Sequence, residues 1–339
     1  MKNVLKYAVS LLIAGGLMWY VFRDIDADVL LAKLAEVRYS WVLLAAIIFL
    51  ISYLTRAYRW KLLLQPLGYP RVTVLRTVTA VAIGYFANLL IPRLGEVTRC
   101  GVIKRLEDVP VTTGLGTVIA ERLIDLVTLL LVTLLLFVAE FDRLSGFLVR
   151  FADDKVDSAG QIALIVGGSL VLFILVVWGA WRIFGARLKR SALFQKLSGF
   201  GREVARGLAS IGRIENKTGF WVSTGLLWAC YFLMSYVVFF ALPETEDLTP
   251  WAGVAVLVMG SFGMAAPVQG GFGTFHALVS GVLVLYGVSE SDGVLFATLV
   301  HGLQTLSFII FGAVAFVLAS VLSPRKSPSD PPLNPALQR

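Results

Sequence analysis

The chain has 339 residues, is 58% hydrophobic and 15% charged with a formal net charge of +8, and has a mean hydropathy of +0.81. An ordinary soluble domain carries about 25% charged residues, so a water-soluble enzyme or nucleic-acid-binding domain is excluded. The positive charge is read as Lys- and Arg-rich cytoplasmic loops around apolar runs near the ~20 residues that cross a bilayer as helix.

The runs are continuous rather than alternating, which predicts an all-α polytopic membrane protein and not a β-barrel. Residues 5–22 form the first apolar run, flanked by Lys2 and Lys6. No small-x-small cleavage pattern follows it, so it is expected to remain as a signal-anchor helix. A second span is predicted over residues 40–54. It continues into Arg56, Tyr58, Arg59, Trp60 and Lys61, which reads as the end of a span at headgroup level.

Residues 78–91 are apolar and then meet Pro92, Arg93, Gly95 and Glu96, followed by a helix-capable segment with Arg99, Lys104 and Arg105. Proline cannot continue a helix and glycine permits a tight reversal, so a break at membrane depth is predicted. Further spans are expected over residues 117–139, 162–181, 220–242 and 294–322. Residues 140–158 and 243–250 are acidic. Residues 182–217 form the most basic loop, with an apolar stripe that suits an amphipathic helix on an anionic membrane surface or a plain cytoplasmic connector. Residues 251–266 and 272–286 are two short apolar pieces split by Pro267, Val268, Gln269, Gly270 and Gly271. The Pro- and Ser-rich tail, residues 323–339, reads as disordered.

Charge bookkeeping then sets the topology. The basic segments, both termini among them, belong in the cytoplasm, and the acidic connections belong outside. The chain is inside at Arg76 and must be inside again before residue 117. Residues 77–110 therefore enter and return, or cross twice. The same parity holds for residues 251–287 from the outer side. Six spans plus two opposed re-entrant helical hairpins, tipped by Pro92-Arg93-Leu94-Gly95 and Pro267-Val268-Gln269-Gly270, is the expected layout. It would suit an inverted repeat with a site near the midplane. Among 12 prolines and 31 glycines, chance recurrence of Pro-x-x-Gly is the competing explanation.

Several residues could carry function. The Arg93 guanidinium suits bidentate phosphate binding, assisted by free N–H groups if a helix starts near Gly95. Glu96 and Arg99 share a helical face and could pair. Glu121, Arg122 and Asp125 form a second charged cluster inside a span, where ionisable groups cost roughly 2.5–3.5 kcal/mol on insertion scales. Glu121 and Asp125 are expected to pair with Arg93 or Arg99, either to gate a site or to lock the hairpin to its neighbour. Gln269, Gly270, Gly271 and Gly273 could let backbone approach a head group. His276 and His301 are titratable, although packing is the commoner role for such residues. No metal spacing and no nucleotide-binding loop is present, Cys100 and Cys230 form no disulfide framework, and no cofactor is expected.

Taken together, Arg56-Ala57-Tyr58-Arg59-Trp60-Lys61, Asn88 with Pro92-Arg93-Leu94-Gly95-Glu96-Val97-Thr98-Arg99, Glu121-Arg122-Leu123-Ile124-Asp125 and Pro267-Val268-Gln269-Gly270-Gly271-Phe272-Gly273 resemble the flippase-like membrane family, also known as the lysylphosphatidylglycerol synthase transmembrane region. The resemblance covers residues 1–322 as one transmembrane domain. It implies translocation of a lipid head group across the bacterial inner membrane, with a membrane lipid as partner and no nucleic acid. It leaves the oligomeric state open. No soluble aminoacyl-transferase domain follows, so the synthase reaction is expected to be absent. His276 stands where the family often has an acidic residue, which affects the expected charge of the substrate. A translocase is thus the leading reading. A membrane enzyme using Glu121 or Asp125 as general base and a non-transporting membrane partner protein are the alternatives.

Overall fold

The computed structural model describes residues 2–23, 25, 27–91, 93–141, 143, 212–266 and 268–323. The expected span 162–181, nearly all of the basic loop 182–217, most of the tail and the tip prolines Pro92 and Pro267 lie outside the described residues. Among those described, all regular structure is helical. In chain order the helices are α1 (Lys2–Phe22), α2 (Ala27–Glu36), α3 (Tyr39–Leu64), α4 (Val74–Leu90), α5 (Leu94–Glu107), α6 (Val111–Ala139), α7 (Lys217–Phe239), α8 (Pro250–Ala265), α9 (Thr274–Leu285) and α10 (Glu290–Val321). Four segments, Tyr39–Leu67, Val111–Ala139, Lys217–Phe239 and Glu290–Val321, are long and apolar enough to cross a membrane. On α6 alone, Val127, Leu131, Leu134 and Val138 are each more than half exposed. An apolar face of that extent suits contact with hydrocarbon and not with water.

The two helical hairpins arise from the same local chemistry. A residue before proline is pushed out of helical backbone. Ile91 accordingly turns extended (φ −140°, ψ 122°) and ends α4. Ala266 (φ −56°, ψ 146°) ends α8 in the same way. The return helices α5 and α9 then pack back on α4 and α8 at glycines. A Cβ on Gly95 would lie 2.2 Å from the Gly84 carbonyl oxygen, and one on Gly263 would lie 2.7 Å from Phe275 Cα. Only glycine permits backbones this close.

The hairpin tips touch one another. Gln269 Nε2 donates to the carbonyls of Leu89 (3.0 Å) and Leu90 (2.7 Å), which satisfies acceptors left free at the α4 C-terminus. Around this junction, α3 packs on α7 and α10 packs on α4, where a Cβ on Gly312 would meet Phe86 Cβ at 2.6 Å. One apolar core, including Phe239, Leu283 and Phe296, joins α7 to α10. A second, including Trp60, Ile83 and Ile103, joins α3, α4 and α5. At the end of α3 distant from Arg56, α2 is tied down by ion pairs of Lys33 with Glu244 (3.1 Å) and with Asp292, and the α2–α3 connection by Arg38 with Glu246 (2.6 Å).

Candidate functional site

The site begins with two matched helix faces. Arg56 and Arg59, three apart, share one face of α3. Glu121 and Asp125, four apart, share one face of α6. Where these faces meet, Arg56 Nη1 donates to Glu121 Oε1 at 2.5 Å and Arg56 Nη2 to Asp125 Oδ2 at 3.1 Å. Arg59 Nη2 donates to Glu121 Oε1 at 3.1 Å and to Asp125 Oδ1 at 2.7 Å. Arg99 of α5 adds a third guanidinium on Glu121 Oε2 at 3.2 Å. Arg56, Arg59, Arg99 and Glu121 are all buried. The Tyr231 hydroxyl accepts from Arg56 Nη2 at 2.6 Å, and Arg99 lies 4.9 Å over the Trp60 ring.

This arrangement corrects the reading of residues 56–61 as an interfacial end of a span. Arg59 and Trp60 are fully buried, and α3 runs on to Leu64. The expected pairing of Glu121 with Arg99 forms, but Arg93 takes no part in it. Glu96 pairs with Arg122 at 3.1 Å and not with Arg99, because Arg99 turns inward to Glu121. The N-terminus of α5 is also less free than its position suggested. Asn88 Oδ1 accepts from the Gly95 N–H at 2.6 Å, and the Ile91 carbonyl accepts from Leu94 N–H at 3.2 Å.

Beside the cluster lies a cavity of about 520 Å³, walled by α3, α4, α6, α7, α8, α10 and both hairpin tips. Of the sequence-derived candidates, Arg93, Glu96, Arg122, Asp125, Gly270 and Gly271 line it. Gly95 and Arg99, with Glu96 and Arg122, line a separate pocket of about 10 Å³, room for one water. Glu121 is sealed behind the wall. Gln269 joins the two tips, and Gly273 faces α1, where its Cβ would meet Leu17 Cβ at 2.4 Å. The glycines at 270, 271 and 273 hold positive φ of 59°, 77° and 80°. They serve the turn and its packing on protein. His276 is buried against Phe22, Phe275 and His301, and its Nδ1 has no hydrogen-bond partner. His301 Nε2 bonds the Gly270 carbonyl at 2.9 Å.

Arg93 reaches the cavity from a strained backbone. Its φ of 63° and ψ of 8° are left-handed, a conformation that costs a non-glycine residue roughly 1–2 kcal/mol. It pairs with no carboxylate among the described residues. Counting Arg56, Arg59, Arg93, Arg99 and Arg122 against Glu96, Glu121 and Asp125, five guanidinium groups face three carboxylates, an excess of two positive charges.

Sequence reasoning missed Arg56 and Arg59, together with the wall residues Tyr53, Tyr85, Trp228 and Tyr231. One signal was available for the arginines. Two carboxylates inside an apolar helix require cations, and Arg56 and Arg59 supply them at a matching spacing. The aromatic residues had no such signal, since a buried tyrosine reads as core.

Among known proteins the chain is similar to "Glycosyltransferase AglD" of Haloferax volcanii, 24% identical over 323 residues, which cover 88% of this chain and 52% of that protein. It is also similar to "UPF0104 membrane protein MJ1595" of Methanocaldococcus jannaschii, 23% identical over 291 residues, covering 79% of this chain and 84% of that protein. The chain thus spans about half the length of the first of these relatives. No solved structure matches it significantly. Residues 7–312 match the family described as the lysylphosphatidylglycerol synthase TM region, and with the charged α3–α5–α6 core and the paired hairpins in place, the chain belongs to that family of membrane proteins.

Proposed function

We propose that this protein is a lipid translocase that moves an anionic lipid head group through the central cavity while the tails stay in the bilayer. The observation that carries the reading is the cavity of about 520 Å³ at the junction of the two hairpin tips, beside a cluster with an excess of positive charge. In this reading both hairpins are re-entrant from opposite faces, the termini are cytoplasmic and the protein sits in the bacterial inner membrane. The segments α3 to α6 and α7 to α10 are then inverted copies, each a long helix, a hairpin and a long helix. The two copies are not packed alike. The helix after the second hairpin, α10, closes tightly on α4 at Gly312 and Phe86. The helix after the first, α6, makes a smaller contact with α8, and the cavity lies beside that contact. Exchange of these two arrangements would open the cavity to alternate sides.

The charged core supports a transporter over an enzyme. Glu121 accepts from three guanidinium groups and Asp125 from two. Carboxylates whose lone pairs are taken up in this way have few left to accept a proton from a substrate, which makes them poor general bases.

Arg93→Gly separates binding from folding. Glycine removes the charge and suits the left-handed backbone, so the variant should melt no lower than wild type. Its transfer of an NBD-labelled anionic phospholipid in proteoliposomes, followed by dithionite quenching, should fall about tenfold, the equivalent of one lost charge-assisted hydrogen bond. Equal transfer by variant and wild type would remove Arg93 from the path.

A further inference from the structure

Translocation by the cavity leaves the head group unnamed, and the charge of the wall narrows it. Arg56, Arg93, Arg122, Glu96 and Asp125 line the cavity. Arg59, Arg99 and Glu121 stand behind them, joined through Glu121 and Asp125. Among the described residues, each carboxylate of this set holds at least one arginine, and Arg93 pairs with none. The set therefore carries two positive charges that none of its carboxylates cancels. The return helices α5 and α9 both begin at the hairpin tips, and their N-termini add partial positive charge there. Unbalanced charge is costly in a low-dielectric setting, so the best-matched ligand brings the site to neutrality.

The hydrogen-bonding groups point the same way. Tyr85, Asn88 and Gln304 line the cavity and are partly exposed. Asn88 Oδ1 is taken by the Gly95 N–H, which leaves its amide N–H groups as donors. Tyr85 and Gln304 can each donate as well. An ammonium-bearing head group is opposed, because it would need a carboxylate and both in the wall already hold arginines. A phosphate diester accepts hydrogen bonds, but its single negative charge would leave one positive charge uncancelled. A phosphate monoester carries a charge of about −1.5 to −2 near neutral pH and presents three strong acceptor oxygens. It matches the wall in both charge and hydrogen-bonding sense.

We propose that the head group carried by this cavity is a terminal phosphate monoester on a lipid, held by Arg93 with Tyr85, Asn88 and Gln304 as further donors. The proposal rests on the translocase reading and names the substrate class of the same site. The test uses the full chain in detergent, titrated by calorimetry with dihexanoyl phosphatidic acid and with dihexanoyl phosphatidylmethanol. These probes differ by one methyl group and one charge. At about pH 7.5 the monoester should bind about tenfold tighter, the equivalent of one more charge-assisted hydrogen bond. At about pH 5 it keeps its second proton, and the ratio should fall towards one. Gln304→Glu lowers the positive excess by one charge and should remove the preference at the higher pH. Arg93→Gly lowers it equally and should do the same. Equal affinity of wild type for the two probes at the higher pH overturns the proposal. Displacement of the monoester by an equal concentration of inorganic phosphate also overturns it, because the site would then belong to the free ion. In proteoliposomes, equal transfer of NBD-labelled long-chain forms of both lipids would overturn it while leaving the translocase reading intact. Monoester-selective binding without transfer of either lipid would support the phosphate site and overturn the translocase reading.

Discussion

Glu121→Gln is expected to cost the fold about 3–5 kcal/mol, the range for breaking a buried ion pair by removing one partner. The glutamine fits the same space, so no cavity opens and packing contributes little. What changes is charge. Arg56, Arg59 and Arg99 all donate to this one carboxylate, which is fully buried. Without it, Arg56 and Arg59 keep only Asp125, and Arg99 loses its carboxylate partner. The reading is checked by thermal unfolding in detergent, with Asp125→Asn as the comparison. Asp125 is partly exposed and holds two arginines rather than three, so its loss should cost less. A melting temperature for Glu121→Gln equal to wild type would show that the cluster is not a structural keystone.

Gly95→Ala should break the first hairpin. The added Cβ would sit 2.2 Å from the Gly84 carbonyl oxygen and 2.6 Å from Asn88 Cγ, whose side chain caps the Gly95 amide. Neither neighbour can yield cheaply, since one is backbone and the other is a capping group. Overpacking of this kind costs about 1–3 kcal/mol and sometimes more. Here α4 and α5 must separate, which also moves Arg93 and Glu96 at the cavity. Gly101→Ala on the same helix is the control, because its Cβ would meet nothing within 4 Å. That substitution should be neutral or stabilising by about 0.5–1 kcal/mol through helix propensity. Melting temperature and amide exchange across α4 and α5 distinguish the two. If both variants behave alike, the close backbone approach is not what holds the hairpin.

The hairpin geometry was legible because proline acts locally. Ile91 and Ala266 leave helical backbone immediately before prolines in the sequence, while charge parity left a returning hairpin and two crossings both open. The site was legible in part. Arg93, Glu96, Arg122 and Asp125 were identified as charges out of place in an apolar setting, and they line one cavity. The partners of those charges were not. Glu96 and Arg99 lie three apart and invite a local pair, yet Arg122 and Glu121 on α6 take them instead. Glu121 is buried and its field draws Arg99 inward, which leaves Glu96 to the exposed Arg122.

Gly95, Gly273 and His276 show the same limit from another side. Gly273 was read as letting backbone approach a head group, Gly95 as opening a helix aimed at one and His276 as bearing on its charge, and each packs on protein: Gly95 on α4, Gly273 on α1, and His276 among Phe22, Phe275 and His301. A glycine required by close approach is the same letter whether a lipid or a helix approaches.

Taken by itself, the sequence determined the solvent, the helical class and the two breaks, because hydropathy and proline stereochemistry act within a few residues. Tertiary structure alone decided the fate of Arg56 and Arg59. Beside Tyr58 and Trp60 they carry the signature of a membrane-interface anchor, and that chemistry is the same as the chemistry of a buried ion pair. Only the arrival of α6, with Glu121 and Asp125 on its matching face, turned the segment inward and placed the charges beside a cavity.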